Sequence, residues 1–526
     1  MQNKQIAFIA YQDQDNLGVG YMASMLLDRG FRVASIDIQL GDDVVAAHAR
    51  ALDPVAIGVS IIFQHQIRQF RDLIRKLRTV IPTCHLCAGG HYPSLRYAEL
   101  LDFIPELDSV GLFEGEYTFL ELCEALRDGK NWRDIPGLAF RQDGLVTNTP
   151  LRPLVADLDT LPVPVRRAER RSTLGQRAAT LLASRGCVYN CSFCSIRQFY
   201  STPPGPVKRV RKPECVVAEM KYLHSEFGCS IFIFQDDDFP LSGRQGRQWV
   251  SEFCNRLAAE RLDQSVLWKA SCRPNEVDYE LFRKLTDHGL GWVYLGIEAG
   301  TDAGLKLMNK HLSKDTGPKA VGTLKQLGLA YAYGFMPFDP SSTFDSVSEN
   351  FDFLDELCSD GSAPVTFCKM LPYVGTAIEN QLRQAGRLLG EVGYLDYRFN
   401  DSALDRYYSF LTRCFGPWMH DPDGVSLLGQ DTIVNLVICR KFCSADPELD
   451  FIVRTVANTL AESNRFFLRT ARDLMPWFRK SSSYDYSSEL NVVADSVAAA
   501  EIQYRSALRN AMNSVEELAG RVVTST

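Results

Sequence analysis

Through its first 370 or so residues the chain alternates short apolar runs with amphipathic stretches, and this alternation restricts it to folds built on parallel sheets covered by helices. Apolar runs at 5–10, 32–38, 56–63, 85–88 and 109–113 are separated by helical patterns such as 66–79 and 117–127. They predict an α/β fold with an N-terminal, doubly wound, Rossmann-like parallel sheet, in which ligands sit beyond the carboxyl ends of the strands. A second set of runs follows at 179–184, 231–234, 267–271, 292–296, 332–335 and 365–369. These predict a central partial (β/α)6 barrel, again with its chemistry at the carboxyl ends. Helical patterns dominate the last third, notably 446–474 and 491–518, the first opening with Asp446 as a capping acid before Pro447. A chain of 526 residues exceeds one ordinary core. The expected division is 1–150, a linker at 151–178, a barrel at 179–375 and a mainly helical domain at 376–526.

Composition narrows the class. Apolar residues make up 46% and charged residues 23%, the balance of a soluble globular protein. The net charge of −7 lacks the basic footprint of a nucleic-acid binder. No apolar run reaches the ~18 residues of a membrane-spanning helix, and the N-terminus has no signal-peptide pattern. Fifteen cysteines without a secretory signal fit a reducing, cytoplasmic setting. The locally basic stretch 166–177 reads as a solvated linker.

Cys187, Cys191 and Cys194 lie on one Gly-led run, 186–195, spaced C-x3-C-x2-C. Three thiolates can hold three irons of a [4Fe–4S] cluster and leave the fourth open. A structural zinc site wants four ligands, usually in two pairs. The competing reading is three ordinary core cysteines. The motif, with the aromatic Phe193 inside it, resembles the signature of radical S-adenosylmethionine (SAM) enzymes. That resemblance implies that SAM chelates the open iron.

Glycines and polar residues gather where the first strands end: Asn16, Gly18 and Gly20; Gly89, Gly90 and His91; Glu114, Gly115 and Glu116. Any one of these turns is equally an unremarkable loop. Together, ahead of the cysteine motif, they resemble the cobalamin-binding domain of cobalamin-dependent radical SAM enzymes. With Ser60 and Phe63 after the third strand, they are the cobalamin contacts that the resemblance implies. The nearest match to a D-x-H-x-x-G cobalt-ligand motif starts at Asp13 and carries Asp15 where the His would stand. Cobalamin is therefore expected base-off, without that ligand. His65 reads more readily as a surface or capping residue than as a cobalt neighbour.

In the barrel region the resemblance continues at Asp236 and Asp237 after an apolar run, placed to hold the SAM amino group. Arg273 offers a planar fork to the SAM carboxylate. Glu298, in a G-I-E segment, is a further SAM contact, because a carboxylate after an apolar strand is costly without a partner. Tyr373, expected at the end of the sixth strand, is the candidate catalytic residue on the substrate side, against a plain packing role. The aromatics from Tyr394 to Trp418 read as an ordinary helical core, although a related C-terminal domain would shape the substrate pocket. The resemblance implies a methyltransferase acting on a carbon of a small organic substrate, a natural-product intermediate, through methylcobalamin and a 5′-deoxyadenosyl radical. The electron donor would be a flavodoxin or ferredoxin, with no nucleic-acid or membrane partner. An oxidative cyclase or rearrangement enzyme, a tRNA methylthiotransferase, and a sensor without turnover are the other readings. For the methylthiotransferase, Cys84, Cys87 and Cys123 are misplaced and the tail is not basic.

Overall fold

The computed structural model describes residues 4–12, 15–167, 171–443, 447–480 and 488–523, so Asp13 and the capping acid Asp446 lie outside the described residues. The chain folds as two compact units that interleave along the sequence: 1–170, 180–219 and 371–397 in the first, and 171–179, 220–370 and 398–526 in the second.

The first unit opens with β1 (Gln5–Ala10), α1 (Leu17–Asp28), β2 (Arg32–Asp37), α2 (Asp42–Leu52), β3 (Ala56–Ser60) and α3 (Ile67–Val80). It continues with β4 (His85–Gly89), α4 (His91–Leu95), α5 (Tyr97–Phe103), β5 (Ser109–Gly111) and α6 (Glu116–Asp128). The strands pair in parallel in the order β2-β1-β3-β4-β5. β1 is buried from Ile6 to Ala10, as a strand covered on both faces must be. α3 turns Ile67, Phe70, Leu73, Ile74 and Leu77 onto one buried face, a helical spacing in which each such side chain contributes about 1.5–3 kcal/mol.

An antiparallel hairpin, β6 (Leu138–Gln142) and β7 (Leu145–Asn148), extends the parallel sheet. Its two-residue turn, Asp143-Gly144, has φ of 51° and 80°, the left-handed pair such hairpins require.

Beyond residue 171 come β8 (Ser172–Thr173), β9 (Gln176–Leu181), β10 (Ser184–Arg185), α7 (Ile196–Ser201), β11 (Arg209–Val210) and α8 (Pro213–Phe227). β12 (Cys229–Phe234), α9 (Gly243–Ala259), α10 (Leu262–Ser265), β13 (Leu267–Cys272) and α11 (Tyr279–Asp287) follow. Then come β14 (Leu290–Glu298), α12 (Asp302–Leu307), α13 (Thr316–Gln326), β15 (Ala330–Phe335) and α14 (Phe344–Cys358). The remainder is α15 (Ala377–Gln384), the hairpin β16 (Leu388–Glu391) and β17 (Tyr394–Tyr397), and four long helices. These are α16 (Ser402–His420), α17 (Val425–Phe442), α18 (Pro447–Lys480) and α19 (Ser488–Val523).

The sheet of the second unit runs β15-β14-β13-β12-β9-β8, with β12 to β15 parallel. Alternate residues face opposite ways. One set, including Phe232, Phe234, Trp268, Val293, Leu295, Tyr331 and Tyr333, is buried. On the other face Ile231, Leu267, Trp292 and Ala330 meet Val434, Val437 and Ile438 of α17, which closes the strands' amino-terminal end.

Five β/α strands form as the pattern predicts, but the sixth does not. Segment 365–369 keeps only one parallel bridge, between Phe338 and Lys369. Helical side chains take over its backbone groups: Val365 N–H donates to Asn464 Oδ1 at 2.8 Å, and Ser426 Oγ donates to Val365 O at 2.8 Å. The result is a half-barrel. The C-terminal aromatics are core: Tyr407 Oη donates to the Ala471 carbonyl at 2.7 Å, and Trp418 stacks on Phe466 at 5.9 Å.

The basic stretch at 166–177 is not uniformly solvated. Arg166 is buried, donates to the Thr180 carbonyl and pairs with Glu219 at 2.5 Å. Cys84, Cys87 and Cys123 are buried, and burial pushes their thiols up, to about 12 and about 11 for the first two. Among the described residues, no helix is long and apolar enough to cross a membrane.

Candidate active site

Two sets of functional side chains emerge, one in each unit. In the first unit β10 and β11 pair as a short antiparallel ladder that frames the cysteine loop. Gly186, at φ +80°, starts the loop; a Cβ there would stand 1.9 Å from the Val207 carbonyl oxygen, so glycine is required. Cys187, Cys191, Phe193 and Cys194 follow, all half-buried, the three cysteines outside any disulfide. No three His, Cys, Asp or Glu side chains among the described residues converge tightly enough to hold one metal ion. Thiolates bound to three separate irons stand farther apart than ligands of one ion, so this bears on zinc rather than on a cluster. Three accessible thiols on one loop fit the donor set of an iron–sulfur cluster.

The same unit brings this segment to the carboxyl end of its sheet. The Phe199 ring lies 4.2 Å from His91 and 5.3 Å from Phe113. Thr180 donates to Asp15 Oδ2 from both its N–H and its hydroxyl, at 3.2 Å. Glu114 accepts Nη1 of Arg185 at 2.9 Å, Nη1 of Arg209 at 2.8 and 2.9 Å, and the Val155 N–H at 2.8 Å. Glu116 pairs with Nη2 of Arg185 at 2.7 Å. Burial would raise the Glu114 carboxyl, but the two guanidinium groups hold it below the usual range. The side chains of Glu114 and Glu116 are thus paired with arginines that flank the cysteine loop. Arg185 and Arg209 were not legible as partners, although Arg185 immediately precedes Gly186.

The other candidate cofactor residues surround this end of the sheet. Asn16 caps α1, its Oδ1 accepting Val19 N–H at 3.2 Å, and Gly18 and Gly20 sit in the first turns of that helix. Ser60 closes β3, while Phe63 is exposed and stacks on His65 at 5.6 Å. Gly89 closes β4, and Gly90, at φ +115°, passes so near the Ile61 carbonyl oxygen that a Cβ would stand 2.3 Å from it. Tyr373 is not at the end of a barrel strand. It lies half-buried in an irregular segment of the first unit, where the neighbouring Val374 N–H donates to Gln64 Oε1 at 3.1 Å.

In the second unit the strand ends carry Asp236, buried, and Asp237, exposed. Glu298 ends β14 at φ +74°, a costly backbone for a glutamate and of the kind that collects at functional sites. Its Oε1 lies 3.5 Å from the buried ammonium of Lys310. Arg273 is buried, and its guanidinium donates to the carbonyl of Lys310. Lys310 is therefore the hub of this set.

Residues 6–123 match the B12 binding domain model, and residues 181–354 match the Radical SAM superfamily model. The chain belongs to the cobalamin-dependent radical SAM enzymes. Its cofactors are a [4Fe–4S] cluster, SAM and cobalamin. This cobalamin-dependent radical SAM enzyme is 28% identical over 369 residues to an uncharacterized methyltransferase of Pyrococcus horikoshii, covering 69% of this chain and 77% of the relative. It is 27% identical over 347 residues to an anaerobic magnesium-protoporphyrin IX monomethyl ester cyclase of Rubrivivax gelatinosus, covering 63% of this chain and 60% of the relative. Its fold matches that of the cobalamin-dependent SAM radical enzyme OxsB, solved with aqua-cobalamin and SAM bound. That match has a TM-score of 0.70 at 16% identity and covers 100% of this chain and 80% of OxsB.

Proposed function

We propose that this enzyme methylates a carbon of a small organic substrate, a natural-product intermediate. A B12-binding domain and a radical SAM domain in one chain, 28% identical to a methyltransferase over 69% of its length, support the reading. When bound, cluster and SAM supply a 5′-deoxyadenosyl radical, and cobalamin supplies a transferable methyl group. Cys187, Cys191 and Cys194 would hold the cluster, with Phe193 beside it. Asp236, Asp237, Glu298 and Arg273 would hold SAM, and Lys310 would fix the Glu298 carboxylate. The loops from Asn16 to Glu116 at the first sheet's carboxyl end would hold cobalamin base-off, since Asp15 stands where a His ligand would. Tyr373 remains the candidate substrate contact, now as a loop residue. A division at residues 150, 178 and 375, a flavodoxin or ferredoxin as donor and a cytoplasmic setting belong to the same proposal.

The cyclase relative favours a second reading, radical ring closure without methyl transfer. One experiment separates the two. The anaerobically reconstituted protein is given SAM with a deuterated methyl group and a strong reductant, and the bound cobalamin is weighed by mass spectrometry. Label on cobalamin is expected. Deoxyadenosine release with cobalamin that never acquires label would overturn the methyltransferase reading.

A further inference from the structure

The open face of the second unit's sheet carries one cation that the chemistry above does not use. Above the layer closed by α17, the accessible residues are Lys269 and Ser271, then Tyr294, Gly296 and Glu298, then Ala332 and Gly334. Most are small or neutral. Glu298 already faces Lys310, whereas Lys269 has no ion pair among the described residues. Its ammonium donates to Ser271 Oγ at 2.6 Å and lies 5.7 Å from the centre of the Tyr294 ring.

A half-buried ammonium with one neutral acceptor is poorly compensated. Burial pulls it below the ordinary lysine range, opposed by the more distant charge of Asp236. Burial around its oxygen and the charge of Glu298 push the Tyr294 phenol up, so its hydroxyl is a neutral donor. Gly296 and Gly334 bring no side chain of their own to this face, and the Tyr294 hydroxyl lies over Gly334, beside the Glu298 carboxylate. An ammonium, a serine hydroxyl and a phenol on adjacent strands make a donor set for an oxyanion.

We propose that Lys269, with Ser271 and Tyr294, is the substrate-recognition site of the half-barrel, and that the substrate carries a carboxylate or phosphate bound by Lys269. This rests on the reading of the barrel face as the substrate's place but not on which reaction follows.

Trace labelling with acetic anhydride, read by mass spectrometry on the cluster- and cobalamin-loaded protein, reports the unprotonated fraction of each lysine. Propionate and inorganic phosphate are the probe anions, and exposed Lys306 is the internal reference. Lys269 is expected to label at lower pH than Lys306. One of the two anions is expected to slow its labelling roughly tenfold, as a pKa rise of about one unit requires, and to leave Lys306 unchanged. Protection by neither anion would overturn the proposal. Protection only by S-adenosylhomocysteine would overturn it as well, assigning Lys269 to the SAM carboxylate. No turnover is needed, so a chain that proves to be a cyclase leaves the result readable.

Discussion

The Lys310 ammonium stands 3.5 Å from Glu298 Oε1 and donates to the Gly296 carbonyl at 2.8 Å, which ties a left-handed glutamate to its own strand. Removing one partner of a buried pair costs more than the pair's net worth, because the other charge is stranded. Lys310→Met is expected to destabilise the fold by about 3 kcal/mol. It should also weaken S-adenosylhomocysteine binding roughly tenfold, a loss of about 1.4 kcal/mol. Urea unfolding and calorimetry check the two effects. Unchanged binding would separate Glu298 from the SAM site.

Replacing Cys187, Cys191 and Cys194 together by Ala should abolish the iron–sulfur absorbance and deoxyadenosine formation. The thiols are half-buried on a loop, not in a core, so the melting temperature should stay within a few degrees. Cobalamin should still bind. Survival of deoxyadenosine formation would refute the cluster assignment.

Gly186→Ala tests the loop's geometry without touching a ligand. The added carbon meets the Val207 carbonyl in a backbone conformation costly for any L-residue. Iron content after reconstitution is expected to fall by more than half while the circular dichroism spectrum persists. Full iron loading would show that the loop tolerates another path.

Glu114 carries a pH signature. Its carboxyl is held below the usual range in the fold, against an ordinary value near 4.3 when unfolded. Its contribution is therefore complete above about pH 4.3 and is lost as pH falls through the lowered folded value. Glu114→Gln should cost about 3 kcal/mol at pH 7 and flatten the acid limb of stability against pH. Urea midpoints at pH 7 and at lower pH read this directly. An acid limb as steep as the wild type's would show that another carboxylate sets it.

Much of this was legible in the chain. Periodicity exposed the parallel strands because a strand covered on both faces must be continuously apolar, as β1 is. The sixth barrel strand looked the same on paper, since Val365 and Phe367 are apolar and buried. Asn464 and Ser426, 99 and 61 residues away, claim its backbone, and no local pattern carries that information. The hairpin at Asp143-Gly144 did carry a local signal, a D-G pair between strand-like runs. Among the candidate site residues, the cysteines stood out by their spacing. The commitment of Glu114 and Glu116 to Arg185 and Arg209 was not, because ion pairs between distant segments leave no periodicity. Tyr373 was placed by extrapolating the sixth strand and moved with it.

The interleaving of the two units sets a timetable for synthesis. The first unit needs residues up to 397, among them Val374, which closes onto Gln64, and Glu379, which receives Arg96 at 2.6 Å. On the ribosome its sheet can form early, but the unit stays unfinished until about three quarters of the chain has emerged. A gene cut at residue 354, where the matched radical SAM segment ends, would release a cofactor fold still lacking its last pieces.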